Sequence, residues 1–464
     1  MNKIPLIVFW LLCVGLFSTV PAIAQQSEES SRPWQHQPRT PLDLPEITPV
    51  AQIDSVREIL REIADRTGVK PAIIYVNFIP QTIPYQPEFA QLEAQNTQAF
   101  QNYLNTVQPR TTNPSLTFAP QPDDQLELLM LTAEGTPVRQ QLTVTREEVQ
   151  EQVRTLRRNV TNVRRRTGFF DPAQQLYDWM IDPLKADLEA REIENLVFIL
   201  TDGLRLMPLA ALHDGEQFII ETYSVSLMPS LALTDTRYID LKNLEVLAMG
   251  ASEFTDQDPL PAVPLELELI ADQIWQGRRF LNQDFTTRNL TTIREQTPYG
   301  IVHLGTHGEF RPGSPENSYI QFNDSRLRLD EVRELALNDP TVELLVLSAC
   351  RTALGDTDAE LGFAGLAAQA GVKTAMGSLW YVSDTGTLTF MTAFYEQLQQ
   401  APIKAEALRQ AQVAMMQGEA RIENGQIVTP GGTFPLTSPL AELGDRDLRH
   451  PYYWSAFTMI GSPW

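Results

Sequence analysis

Two short stretches carry side chains that could do chemistry together. The first reads Tyr299-Gly-Ile-Val-His-Leu-Gly-Thr-His307-Gly-Glu-Phe310, the second Glu343-Leu-Leu-Val-Leu-Ser-Ala-Cys350-Arg-Thr-Ala-Leu354. In each, an apolar run stops at a reactive side chain among small residues. A thiolate is a strong nucleophile, and a neighbouring imidazole can take the thiol proton and return it to a leaving amine. His307 and Cys350 are therefore candidates for base and nucleophile in an acyl transfer. Gly308 leaves the backbone beside an attacked carbonyl unobstructed. Other readings of these residues stand beside this one. A lone cysteine is often only a small buried hydrophobe. His303 lies four positions before His307, so unbroken strand alternation places it on the same side, deeper in the sheet. It reads as a satisfied core histidine. A His-x-x-x-His metal pair suits a helix, and Gly305 inside an apparent strand argues against it, so no metal is expected. Ser348 lacks the Gly-x-Ser-x-Gly surround of a serine nucleophile.

The elements around these residues must present them on one rim. Runs of four to eight apolar residues bounded by turn formers fit buried parallel strands. Candidates are 196–200, 244–249, 301–305, 344–348 and 374–378, with helical patterns at 264–276 and 387–399 among those between them. That alternation predicts an α/β fold with a mostly parallel, doubly wound sheet and helices on both faces. Ligands of such sheets bind beyond the carboxyl ends of the strands, where His307 and Cys350 would sit.

At these motifs the chain resembles the CHAT family of caspase-like cysteine peptidases, relatives of separase and the caspases. Caspases carry Gln-Ala-Cys-Arg-Gly with a histidine upstream. Here the corresponding stretch is Ser348-Ala349-Cys350-Arg351-Thr352, closer to CHAT. Further matching pieces follow in order, among them Leu361-Gly-Phe-Ala-Gly-Leu366, Gly371 through Trp380, Asp384 and His450-Pro-Tyr-Tyr-Trp454. The resemblance spans 170–464. It implies a caspase-like fold and a dyad of His307 and Cys350, with His307 preferred over His303 as base. It also implies an oxyanion hole from the N–H groups of Gly308 and Cys350. It implies no cofactor.

The remainder of the chain sets the context. Among 464 residues the formal charge is −22, which argues against general nucleic-acid binding and leaves a protein or peptide as the expected partner. Residues 1–24 read as a signal peptide: Lys3, an apolar run over 4–20, then Ala22-Ile-Ala24 before Gln25. Export follows, with membrane attachment only if the segment stays uncleaved. Of the two cysteines, Cys13 would leave with the signal and Cys350 would remain as a lone thiol. Residues 25–50 read as a disordered linker rich in Pro, Ser and Gln. An α+β region is expected over 51–169, with a helix over 53–64, a strand over 72–79, a hairpin over 126–145 and a helix over 146–166. No 34-residue repeat is present. The arginines at 154, 157, 158, 164, 165 and 166 read as a solvated helix face rather than a partner dock. Residues 418–447 read as a long loop, a lid or an insertion. Oligomeric state is not written in the sequence.

Substrate preference can be read from acids near the candidate rim. Asp384 follows Trp380 at a spacing that CHAT proteins share. Asp356, Asp358 and Glu360 follow Cys350. A carboxylate in a pocket pairs well with a substrate guanidinium, so cleavage after Arg or Lys is expected, with Asp384, Asp356 and Glu360 binding substrate. Two alternatives stay open. Arg351 could attract an acidic residue, or the chain could keep the fold only as a non-catalytic interaction module.

Overall fold

A computed structural model describes residues 53–80, 120–201, 203–310, 315–352, 366 and 370–464. The expected signal peptide and linker, and Asp356, Asp358 and Glu360, lie outside these. The described residues form one compact unit.

Apolar residues at helical spacing, Ile53, Val56, Leu60 and Ile63, bury one face of helix α1 (Ile53–Thr67), which Gly68 ends in the left-handed region at φ 74°. Strand β1 (Pro71–Ile79) follows, then a hairpin of β2 (Gln125–Thr132) and β3 (Val138–Thr145). A capping box opens α2 (Arg146–Val160): Glu148 N–H donates to Thr145 Oγ1 at 3.3 Å, and Glu148 Oε2 accepts from Thr145 N–H at 2.8 Å. The helix stops six residues before the expected Arg166, because Thr161 caps it through Arg157 and Arg158 carbonyls.

Its arginines divide. Arg154 and Arg158 pair with Glu151 on the surface, as a solvated face would. Arg157 is instead buried and donates to the carbonyls of Leu206 and Leu379 at 3.0 and 2.6 Å. This corrects the expectation of a wholly solvated cluster: burial one helical step around from the surface turned a charge into a bolt between segments.

The sheet continues through β4 (Asn195–Leu200), β5 (Ser224–Leu227), β6 (Val246–Gly250), β7 (Gly277–Leu281), β8 (Ile301–Phe310), β9 (Tyr319–Gln321), β10 (Arg326–Arg328), β11 (Leu344–Thr352) and β12 (Thr374–Ser378). Helix α3 (Val263–Glu268) runs on as a wider helical turn to Ile274, between β6 and β7. Helices α4 (Asp384–Leu398) and α5 (Lys404–Gln417) follow β12. Three short strands come next, β13 (Arg421–Glu423), β14 (Gln426–Thr429) and β15 (Gly432–Pro435), and β16 (Phe457–Gly461) closes the chain's order.

Among the described residues, thirteen strands share one sheet. Its path runs β7-β6-β8-β11-β12-β16-β5-β4-β1-β2-β3, with the β9–β10 hairpin branching from the far end of β8. Pairing is parallel from β7 to β12 and from β16 to β1, and antiparallel at β12–β16 and β1–β2–β3. The fold is thus α/β with a mostly parallel sheet. Alternation along β1 covers both faces: Ile73 and Tyr75 join the core that α1 covers, while Ala72, Ile74 and Val76 join the larger core on the other face, to which α2 contributes. The α+β region expected over 51–169 supplies β1, β2 and β3, the far end of this same sheet.

Residues 421–435 are not a structureless loop but a three-stranded antiparallel sheet. Asn424 and Gly425, both at positive φ, make the two-residue turn between β13 and β14. The sheet is moored to α4 at the buried Glu396, whose carboxylate accepts from Thr429 Oγ1 at 2.7 Å and Gly431 N–H at 3.2 Å. A Cβ at Gly431 would lie 2.5 Å from the Glu396 carboxyl carbon, so a side chain there would have to displace that carboxylate.

Candidate functional site

Strands β8 and β11 run side by side and overshoot their expected ends at Gly305 and Ser348. β6 stops at Gly250, opposite Gly305; beyond it β9 takes over that side of β8, so the strand continues to Phe310. Register passes from Leu304↔Leu347 to His307↔Ala349, which leaves one extra residue on β8. Such a bulge re-aims side chains beside functional sites. It also breaks the alternation from His303 to His307, so the same-side placement expected of the two rings does not carry across. After the bulge Cys350 pairs with Gly308, which places the Cys350 backbone one register step from His307. Gly308 lies between Cys350 on one strand and Ile320 on the other.

The His307 ring is half-buried and tilted against Phe254, with centroids 4.8 Å apart. Its Nε2 lies 2.8 Å from the Asp258 carbonyl oxygen. A carbonyl only accepts, so Nε2 carries the proton in this contact and Nδ1 keeps a lone pair for another partner. Asp258 belongs to the 251–262 connection from β6 to α3, which is tied down along its length. Ala251 N–H donates to Gly305 O at 3.1 Å, Ser252 N–H to Asn282 Oδ1 at 2.8 Å and Leu260 N–H to Ser252 O at 3.0 Å. At its end Ala262 N–H donates to Asp384 Oδ2 at 2.6 Å.

Asp384 opens α4, behind Ser383 as N-cap. Burial pushes its carboxyl up to about 7, against the Ala262 N–H, which lowers it, and with the charge of Glu266, which raises it. Exposed Tyr381 stands near both Asp384 and Asp258; burial first, then these two charges, raise its phenol above the ordinary value. His307, Asp258, Tyr381 and Asp384 therefore share one rim.

His303 is fully buried. Its Nε2 lies 2.8 Å from Glu266 Oε1 and its Nδ1 3.2 Å from the Tyr395 hydroxyl, so both nitrogens are engaged within the core. His213 bonds Gly215 N–H at 2.9 Å, inside a cluster with Phe170 and Phe218. His450 caps the turn of Tyr452, whose carbonyl accepts from Trp380 Nε1 at 3.0 Å. A cleft of about 890 Å³ opens beside Phe254, lined by Glu253, Asp256, Asn282, Asp284 and Asp324 among others.

Asp258, Ala262, Phe254 and Glu266 had not been singled out from sequence. For Asp258 and Ala262 no signal existed, because backbone groups do the work. Phe254 and Glu266 could have been suspected only from their place just past a parallel strand.

In this α/β sheet the strand that carries His307 lies in parallel register with the strand that carries Cys350. The CHAT domain model matches residues 171–462, and the chain belongs to the CHAT domain family. No curated protein matches it. Among solved structures it is similar to Saccharomyces cerevisiae separase in its complex with securin, at 10% identity and TM-score 0.44, over 88% of this chain and 31% of that one. It is also similar to the Arg-specific cysteine proteinase gingipain R, at 9% identity and TM-score 0.38, over 68% of this chain and 74% of that one. The chain thus spans about a third of the length of the separase chain.

Proposed function

We propose that the chain is an exported cysteine endopeptidase that cleaves protein substrates after basic residues. The observation that carries this reading is the His307 ring, proton-bonded through Nε2 to the Asp258 carbonyl, one register step from Cys350. Nδ1 takes the Cys350 proton as the sulfur attacks the scissile carbonyl. The carbonyl π bond opens onto oxygen, and the oxyanion is met by the N–H groups of Gly308 and Cys350. The imidazolium then gives its proton to the leaving amine as the C–N bond breaks, and water releases the acyl group from sulfur by the reverse sequence. The Asp258 carbonyl holds the ring in the tautomer that this sequence needs, the role an acid fills in a triad. Asp384, with Oδ2 committed to Ala262, offers its other oxygen to a substrate guanidinium. Export rests on residues 1–24 alone.

A thiol-directed peptide probe ending in arginine tests the reading on purified protein. Cys350 should be labelled, and the label should vanish in His307→Ala. Equal labelling of wild type and His307→Ala would remove His307 from the reaction.

A further inference from the structure

Three elements meet at the rim: β8 carries His307, the connection into α3 carries Asp258 and Ala262, and α4 begins with Asp384. Below the rim the same three elements meet again, around one imidazole. His303 on β8 is 0% exposed; Glu266 on α3 and Tyr395 on α4 are 2% and 0% exposed. With the His303 proton on Nε2, that N–H donates to Glu266 Oε1 at 2.8 Å, and Nδ1 accepts from the Tyr395 O–H at 3.2 Å. Burial holds the Tyr395 phenol well above its ordinary value, so it stays a donor. The His303 and Tyr395 rings also meet edge-on at 5.6 Å. Every donor in the set has an acceptor.

A buried polar group costs stability unless bonded, and three converging groups specify one arrangement of the elements that bring them. Apolar packing alone would hold α3 and α4 on the sheet but allow sliding and rotation about their axes. Glu266 lies one helical turn from Ala262, so fixing Glu266 against β8 fixes where the Ala262 N–H points. Tyr395 fixes the axial position of the helix that begins at Asp384. We propose that His303, Glu266 and Tyr395 form a buried clamp that sets the rim geometry, holding the Asp258 carbonyl against His307 and the Ala262 N–H against Asp384. The three are positioning residues; none of them touches the reacting atoms. The catalytic meaning of the clamp rests on the peptidase reading above, but its effect on the rim does not.

Amide hydrogen exchange on the full chain reads the clamp without requiring turnover. Three variants are compared with wild type: Tyr395→Phe, which removes one oxygen, Glu266→Leu, which removes the acceptor, and Glu266→Gln, which keeps an acceptor oxygen. Peptides spanning 258–263 should exchange roughly fivefold to tenfold faster in Tyr395→Phe and Glu266→Leu, the scale of one lost buried hydrogen bond. Those from β1 and β2 should keep their rates. Glu266→Gln should stay near wild type; a core that needed only packing would not tell Gln from Leu in this way. In peptidase assays on an arginine peptide, Tyr395→Phe and Glu266→Leu should lose activity by a similar factor and Glu266→Gln should retain it. Unchanged exchange over 258–263, or equal loosening in Glu266→Gln and Glu266→Leu, would overturn the clamp. So would global unfolding of Tyr395→Phe, because the cluster would then hold the whole core rather than the rim. If the rim loosens as expected while wild type itself cleaves nothing, the clamp stands and the peptidase reading fails.

Discussion

The two rims of the sheet each hold a titratable group that burial moves to about 7, in opposite senses. At the carboxyl ends of the strands Asp384 is pushed up from 3.8; at the amino ends Lys404 is pushed down from 10.5. Their surroundings differ. Asp384 is only partly buried, shares its rim with exposed Tyr381 and half-buried His307, and keeps one oxygen outside its bond to Ala262. Lys404 is 2% exposed at the start of α5, and its Nζ has no hydrogen-bond partner among the described residues. Beside it Lys373 pairs with Glu343 at 3.0 Å and donates to the Arg237 carbonyl. A shifted pKa therefore does not by itself mark a site. Access separates the two: one rim faces a cleft, the other is sealed around a cost to stability.

The largest test of this contrast is loss of function. Cys350→Ala and His307→Ala should each lower peptidase turnover by roughly four orders of magnitude, and the double variant should be no worse than either, because the pair acts as a unit. Lys404→Met should cleave at the wild-type rate. A peptidase assay with all four proteins checks this, and activity lost with Lys404 would erase the distinction between the rims.

Next in size is specificity. Asp384→Asn should lower kcat/KM for arginine peptides by roughly tenfold to a hundredfold, the scale of a charge-assisted hydrogen bond, and leave peptides with a neutral residue there unaffected. The carboxylate must be ionised to attract a guanidinium, so KM for arginine peptides should fall as pH rises through about 7. That limb should be missing in Asp384→Asn. A flat KM profile in wild type, or a preference for aspartate in a positional peptide library, would take Asp384 out of recognition.

What could be read in advance follows the same line between side-chain pattern and backbone. Strand β12 was legible over its whole length, since Thr374–Ser378 is a fully buried strand, parallel to β11 and antiparallel to β16, bounded by Lys373 and Leu379. The continuation of β8 through His307-Gly-Glu-Phe310 was not: polar and small residues interrupt the apolar run before Phe310, and what holds it extended is β11 on one side and β9 on the other. The bulge between Leu304 and His307 depends on that remote pairing too. Asn424-Gly425 is a strong hairpin signal, but the Gly, Pro and Thr around it led to a loop reading over 418–447. The residue types of the candidate dyad could be seen; the Asp258 carbonyl could not, because every residue has one.

The sealed rim makes a prediction about stability alone. Lys404 has a folded pKa near 7 and an ordinary value of 10.5, so between these pH values the unfolded chain holds more protons and stability rises with pH. Replacing the lysine with Met removes the cost of burying it. Lys404→Met should stabilise the protein by about 4 kcal/mol at pH 7, with the gain shrinking towards pH 10.5. Denaturant melts across that range decide it; destabilisation at pH 7 would mean that the ammonium is held by a favourable partner.

The smallest expected effect concerns Asp384 again, now without substrate. Its folded pKa is raised, so between about 3.8 and 7 the folded state holds a proton that the unfolded state has lost. Stability conferred by the protonated form is fully present below 3.8 and is lost as pH rises through about 7. The slope is opposite in sign to that of Lys404. Asp384→Asn keeps an oxygen to accept the Ala262 N–H and cannot ionise, so it should match wild type near pH 4 and exceed it at pH 8. Partial exposure limits the gain to about 1 kcal/mol. A site that recognises a cation gives up this stability while empty and recovers it when a guanidinium arrives. An arginine-containing ligand should therefore stabilise wild type more at pH 8 than at pH 5, and should lose that pH dependence in Asp384→Asn. Thermal shifts with and without such a peptide, at both pH values, measure it. Equal ligand shifts at pH 5 and 8 in wild type would reduce Asp384 to another buried charge, no different in kind from Lys404.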